Sequence, residues 1–264
     1  MKGDILGKNM SDKFSNFDAC QKRFYQPDNI FLRGLMSQFW ELWKAKLAEF
    51  ETWRDEERSV AILIYWDFLR EQFVKEIPKS EREYLLDIGS GTGVSIVSLA
   101  KNTKCIGIGL DPIQSSLRIL KRRGKKENVI VHAIRAIGEN VPIKSKSIET
   151  VIITGTLDHV LDANQVMQES KRVLKEDCSL FIQQGIVERR TVNHSDRTHL
   201  KEFTGEEICG LLKENDFIIK KIKIFYRISK LLPFLRILMF IPRLYNLVGK
   251  LVGSQAIMFI ETTV

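Results

Sequence analysis

The chain has 264 residues, 44% hydrophobic and 28% charged, with 41 Lys+Arg against 33 Asp+Glu and a formal net charge of +8. That length holds one large domain, or one domain with additions. Its 16 Gly and 6 Pro exclude collagen-like and low-complexity classes, and its apolar fraction is enough to fill a core.

Residues 1–12 are charged and contain no apolar run, which argues against a cleaved signal peptide and for a cytoplasmic chain. From residue 29 to about 79 the apolar side chains Ile30, Phe31, Leu35, Phe39, Leu42, Trp43, Leu47 and Phe50 return at three- and four-residue steps, the period of a helix. A second helix is expected over 59–75, with Ser59 as N-cap and Pro78 closing the segment. Residues 1–82 therefore read as an N-terminal helical extension, and 83–264 as the main domain.

Beyond residue 82, short β-rich runs alternate with helical patterns, the signature of βαβ units and a parallel sheet. Strands are expected at 84–88, 105–110, 129–133, 148–154, 179–184, 217–225 and 255–261. Helices are expected near 93–101, 113–123, 163–175 and 204–215. Thr204 and Glu207 have capping-box spacing, and Asp162 is placed to cap the helix that begins at Ala163. Such a sheet binds its ligand outside the carboxyl ends of its strands.

Between the last two expected strands lies an insertion, residues 229–253, divided by Pro233 and Pro242. Arg236, Arg243 and Lys250 recur in it at seven-residue spacing among Leu235, Ile237, Leu238, Phe240, Leu244 and Leu247. Residues 213–250 hold nine basic side chains against two acidic ones, +7 of the total charge. A basic amphipathic segment of this kind suits packing inside the molecule or in a homodimer. It also suits peripheral contact with an anionic membrane, or a lid over an apolar acceptor. The interrupting arginines argue against a spanning helix. Nucleic-acid binding is not expected, because no aromatic-interleaved platform accompanies the charge. Cys20, Cys105, Cys178 and Cys209 lie far apart with no histidine at ligand spacing, so no metal site or redox pair is expected.

The most informative segment is Leu85-Leu86-Asp87-Ile88-Gly89-Ser90-Gly91-Thr92-Gly93, a strand feeding a glycine-rich turn that opens a helix. A dinucleotide fingerprint needs its third glycine where Val94 stands, and Asp87 would repel a pyrophosphate. The same carboxylate suits a ligand carrying an ammonium group. Asp111, at the end of the second strand, is placed to accept both ribose hydroxyls of a nucleoside, and Pro112 and Ile113 offer an apolar wall for its base.

Residues 85–100 with 107–113 resemble the cofactor site of the Rossmann-like S-adenosylmethionine-dependent methyltransferases. The similarity continues through Gly138-Glu139-Asn140-Val141-Pro142-Ile143, residues 147–152, residues 157–162 and Lys171-Arg172-Val173-Leu174-Lys175, and covers roughly 82–225. Within that superfamily the branch acting on small molecules, lipids, quinones and sugars is the most similar. The resemblance implies an α/β fold with a Rossmann-like, seven-stranded, mostly parallel sheet, and S-adenosylmethionine as cofactor. It assigns Asp87 to the methionine amino group, and Gly89, Ser90, Gly91, Thr92 and Gly93 to its carboxylate and ribose. Asp111 would take the ribose hydroxyls and Pro112 and Ile113 the adenine face; backbone groups of Ile137 and Gly138 would meet the adenine edge, and Thr154 and Gly155 would lie under the methionine moiety. Asp177-Cys178 stands where the family usually has a Gly-Gly turn, and Ile137 where it often has Asp.

Methyl transfer from a sulfonium is an in-line displacement in which alignment supplies much of the acceleration. A hydroxyl acceptor also needs a general base. The candidates are His159, just beyond the fourth strand, and His199, between the fifth strand and the Thr204 helix; His194 reads as solvated. The expected reaction is methylation of a small or lipid-like acceptor. The alternatives are a protein or RNA methyltransferase, or a noncatalytic partner subunit of the same fold.

Overall fold

A computed structural model describes residues 60–77, 83–187, 200–227, 238, 240–252 and 255–264. The helix expected from residue 29, His194, His199 and the first half of the insertion lie outside these residues.

Seven strands form one sheet in the order β3-β2-β1-β4-β5-β7-β6. They are β1 (Tyr84–Ile88), β2 (Ile106–Leu110), β3 (Val131–Ile134), β4 (Ile148–Thr154), β5 (Leu174–Val187), β6 (Ile218–Arg227) and β7 (Gln255–Thr263). The first five pair in parallel, and β7 runs antiparallel between β5 and β6. The helices are α1 (Val60–Glu76), α2 (Val94–Thr103), α3 (Gln114–Lys126), α4 (Ala163–Val173), α5 (Gly205–Glu214) and α6 (Pro242–Val252). This is the Rossmann-like α/β sheet that the sequence predicts.

Central strands such as β1 are apolar without alternation because helices cover both faces. One core joins Leu69, Phe73 and Ile77 around α1 to Leu85, Ile96, Leu120, Ile152, Phe181, Tyr245 and Phe259. Phe73 meets Phe259 edge-to-face with ring centroids 5.3 Å apart, so α1 covers the sheet face on which β7 lies. The caps expected at Asp162 and Thr204 are present, whereas Ser59 lies outside the described residues: Asp162 accepts from the Gln165 amide at 3.0 Å. Thr204 and Glu207 close a reciprocal box at 2.9 and 3.2 Å.

Several boundaries differ from expectation, and three of them have a clear local reason. Val129 is not yet strand: Asn128 turns the chain at φ 53°, and the Val129 amide bonds back to the Gly124 carbonyl at 3.0 Å. At its start, β5 pairs Leu174 with Ile148, then bulges before Ser179 pairs with Thr150. Asp177 holds φ 59° in that bulge, a left-handed conformation that Asp tolerates better than most side chains, so the turn usual for Gly-Gly is made by Asp. At its other end, β5 runs on to Val187 because β7 pairs with it as far as Gln255.

Candidate active site

Strand register sets the site. Ile88, the last residue of β1, pairs with Leu110 at the end of β2 and with Ile153 next to the end of β4. Gly89, Asp111 and Thr154 therefore leave three adjacent strands at one level, where β1 and β4 diverge in chain order and a crevice opens.

The glycine-rich turn is anchored there by its backbone. Gly89 and Ser90 amides donate to the Leu110 carbonyl at 2.8 and 2.9 Å. The Gly91 amide donates to one Asp111 oxygen at 2.8 Å, and the Ile113 amide to the other at 2.8 Å. Asp111 thus ties the β1 turn to the β2 turn while keeping lone pairs for further donors. Gly89 is needed for packing: at φ 78° an added Cβ would lie 2.3 Å from the Thr156 side chain. Gly91, at φ 51°, has nothing within 4 Å of such a Cβ, so its bare backbone faces open space that a ligand can approach.

Asp87 is fully buried, and neither of its carboxylate oxygens has a hydrogen-bond partner among the described residues. Burial, with the Asp111 carboxylate as a second cause, raises its carboxyl from 3.8 to about 8. A buried carboxylate left in this state is unfavourable, and an ammonium group is the partner that would resolve it. Ser90 is likewise buried with an unpartnered hydroxyl. It is accommodated because Gly109 has no side chain, whose Cβ would sit 2.8 Å from Ser90 Oγ. The donor set, the open face of Gly91 and the unanswered Asp87 fit the methionine and ribose parts of S-adenosylmethionine.

The 137–143 loop closes one side. Gly138 lies against β1, where an added Cβ would stand 2.8 Å from Ile88, and the Ile137 carbonyl accepts from the Asn140 amide at 3.2 Å. Arg172 on α4 holds the loop, donating to the Val141 and Ile143 carbonyls at 2.7 and 2.8 Å and gripping Glu169 at 2.6 and 2.8 Å. Glu139, buried and raised above the ordinary carboxyl range by that burial, accepts from the Leu161 and Asp162 amides at 2.8 and 3.3 Å. It links the 137–143 loop to the loop that carries His159.

In that second loop, the Thr156 hydroxyl approaches the Gly89 carbonyl at 3.5 Å, and the His159 amide bonds to the Thr156 carbonyl at 2.9 Å. His159 therefore stands one turn from a residue that touches the glycine-rich loop. Its Nε2 is 3.6 Å from Asp158 Oδ1, and both side chains are largely buried.

Two further buried polar groups border this loop. Gln184 on β5 accepts from the Leu157 amide at 3.2 Å, and its Nε2 has no partner among the described residues. Glu202 lies between two pinned points. The Leu200 amide bonds the Asp158 carbonyl at 2.7 Å, and the Phe203 carbonyl accepts from Val187 at 3.0 Å. Glu202 is buried, and its Oε2 has no partner among the described residues. Thr156, Glu139, Gln184 and Glu202 are not among the residues the sequence singles out. Only the local match around Glu139 and Thr154-Gly155 pointed near any of them.

Residues 86–182 match the model of a family described as a methyltransferase domain. The fold is that of the class I, Rossmann-like methyltransferases, and residues 86–182 carry a methyltransferase domain of the S-adenosylmethionine-dependent kind. An uncharacterized protein of Methanocaldococcus jannaschii is 29% identical over 64% of this chain and 77% of its own. Demethylmenaquinone methyltransferase of Lactobacillus johnsonii is 32% identical over 41% of this chain and 46% of its own. Norajmaline N-methyltransferase of Rauvolfia serpentina is 30% identical over 43% and 40%, so the chain spans less than half the length of these two enzymes. Among solved structures, a methyltransferase from Aquifex aeolicus superposes with TM-score 0.54 at 16% identity, covering 74% of this chain and 89% of that one. Geranyl diphosphate C-methyltransferase from Streptomyces coelicolor A3(2) gives 0.59 at 14%, covering 75% of each. At such identities the structures establish the shared fold alone.

Proposed function

We propose that the enzyme methylates a small or lipid-like acceptor seated between the β4–α4 loop and the carboxyl end of β5. The observation behind this reading is the pair of buried polar atoms there, Gln184 Nε2 and Glu202 Oε2, that have no partner among the described residues. One is a donor and the other an acceptor, beside the Asp158–His159 pair. Buried polar groups without partners are rare and unfavourable. A compact acceptor bearing a hydroxyl or amine can satisfy both, whereas a folded macromolecule would have to thread a side chain or base into the same space. Demethylmenaquinone and norajmaline, the substrates named for two relatives, are of this size class.

S-adenosylmethionine supplies the methyl group on a sulfonium. Asp87 would hold its amino group and Asp111 its ribose hydroxyls, Glu139 keeps the two bordering loops in register, and His159 would take the acceptor proton while Asp158 steadies the imidazolium. His199 is the alternative base. The test is to incubate the enzyme and labelled S-adenosylmethionine with a cell extract and separate the products. Label in the organic-extractable or low-molecular-weight fraction supports the reading. Label confined to protein or RNA overturns it, and no transfer despite cofactor binding would make the chain a noncatalytic partner. Peripheral residence at a membrane, which would suit a lipid-like acceptor, depends on a separate surface.

A further inference from the structure

Helix α6, the second half of the insertion, has two unlike faces. Tyr245 on one side is fully buried in the core, and Val248 packs against the same cluster. Asn246 accepts from the Tyr226 amide at 2.7 Å, and Gly249 lets the helix approach β6, since an added Cβ would lie 3.0 Å from the Tyr226 carbonyl oxygen. The helix is therefore held firmly to the sheet edge, and its orientation is set.

On the other side stand Phe240, Leu244, Leu247 and Leu251, exposed by 54, 39, 59 and 80%. Steps of three and four residues put the three leucines on one stripe of the helix surface, and Phe240 stands just ahead of the helix in the chain. Arg243 and Lys250, seven residues apart and both exposed, run along one border of the stripe. From residue 217 to residue 260 the sequence contains no Asp or Glu. Glu76 on α1 answers Lys221, at 2.5 Å, and Lys223 on the neighbouring strand, but it sits beside β6 rather than on α6.

We propose that α6 is a docking surface for an anionic membrane: it lies in the plane of the interface, with Phe240 and the Leu244–Leu251 stripe among the acyl chains and Arg243 and Lys250 at the headgroup phosphates. Exposed apolar rows of this extent mark interaction sites, and the charge border selects the occupant. A protein surface offers mixed charge, whereas a bilayer rich in phosphatidylglycerol or phosphatidylserine offers an apolar phase beneath a uniformly anionic layer. No helix among the described residues is long and apolar enough to cross a membrane, so the contact is peripheral. It is independent of the acceptor, because α6 and the β4–β5 loops share no residue.

The test is cosedimentation of the full chain with vesicles of pure phosphatidylcholine or with about 30 mol% phosphatidylglycerol, using S-adenosylmethionine binding as the control for folding. The proposal expects binding to the anionic vesicles at low salt, weakened severalfold at about 0.5 M salt and absent on phosphatidylcholine. A Leu247→Asp, Leu251→Asp double variant should bind about tenfold less or worse with unchanged cofactor affinity. Wild-type protein remaining in the supernatant with anionic vesicles overturns the proposal. So does a double variant that still sediments fully, which would assign binding to charges elsewhere. If wild type is dimeric, the double variant monomeric and neither binds vesicles, the stripe belongs to a second copy and the proposal fails.

Discussion

The two sides of this crevice, which the proposed function gives to cofactor and to acceptor, are built differently. Around β1 and β2 the site is mostly main chain: amides of Gly89, Ser90, Gly91 and Ile113 are committed to Leu110 and Asp111, and one side chain, Asp87, waits for a charge. Around β4 and β5 it is made of side chains, Asp158, His159, Gln184 and Glu202, held by long-range backbone bonds to residues 187, 200 and 203. A site made of main chain recognises one invariant molecule. A site made of side chains changes with each substitution, which is how one fold serves many acceptors.

Removing the waiting charge should have the largest effect. Asp87→Asn is expected to weaken S-adenosylmethionine binding by about 100-fold or more, as for other buried charge pairs that lose one partner, when titrated calorimetrically. The same change should stabilise the ligand-free protein. Because the folded value of Asp87 lies above its ordinary one, moving from 3.8 to about 8, its protonated form favours the fold. That contribution is full below about pH 4 and drains away as pH rises to about 8. Thermal unfolding near pH 8.5 should therefore show Asp87→Asn melting on the order of 5 °C above wild type, whereas near pH 4 the two should coincide.

On the acceptor side the expected loss is in turnover rather than cofactor binding. His159→Gln should lower kcat by roughly 100-fold or more for a hydroxyl acceptor and leave S-adenosylmethionine affinity within about twofold, as measured by label transfer and calorimetry. Full turnover in His159→Gln, with loss in the corresponding His199 variant, would move the base to the other loop.

A smaller contrast separates the two glycines of the turn. Gly89→Ala drives a methyl into Thr156 and should cost about 2–3 kcal/mol of stability. Gly91→Ala meets nothing and should cost about 1 kcal/mol from its left-handed backbone, its main effect being weaker cofactor binding. Denaturant titrations give the first quantity and calorimetry the second.

This contrast also explains how far the sequence could be read. Asp87, the glycines and Asp111 were legible because a strand-turn-helix with fixed backbone angles allows few residues at each place, so its demands appear as a contiguous motif. The seven strands and their mostly parallel sheet were equally legible, since apolar runs alternating with helical periods admit few sheets. Gln184 and Glu202 were not legible: an amide in a strand and a glutamate in a loop look ordinary until β7 extends β5 and the 200–203 segment is pinned across it. Nor did local pattern show that Leu69 and Phe73 close over the sheet, since a helical stripe does not name its partner. Asp177 is intermediate: the departure from Gly-Gly was visible, but its left-handed backbone was seen only in the bulge.

The most direct measurement is calorimetric titration of the wild-type protein with S-adenosylmethionine at pH 7 in two buffers of different ionisation heat. A carboxyl at about 8 is mostly protonated at pH 7 and must ionise opposite the ligand's ammonium group. Binding should thus release most of a proton at pH 7 and tighten severalfold per pH unit up to about pH 8, then level off. Binding without proton release and with no pH dependence, or no binding at all, would contradict the place of Asp87 at the centre of the site.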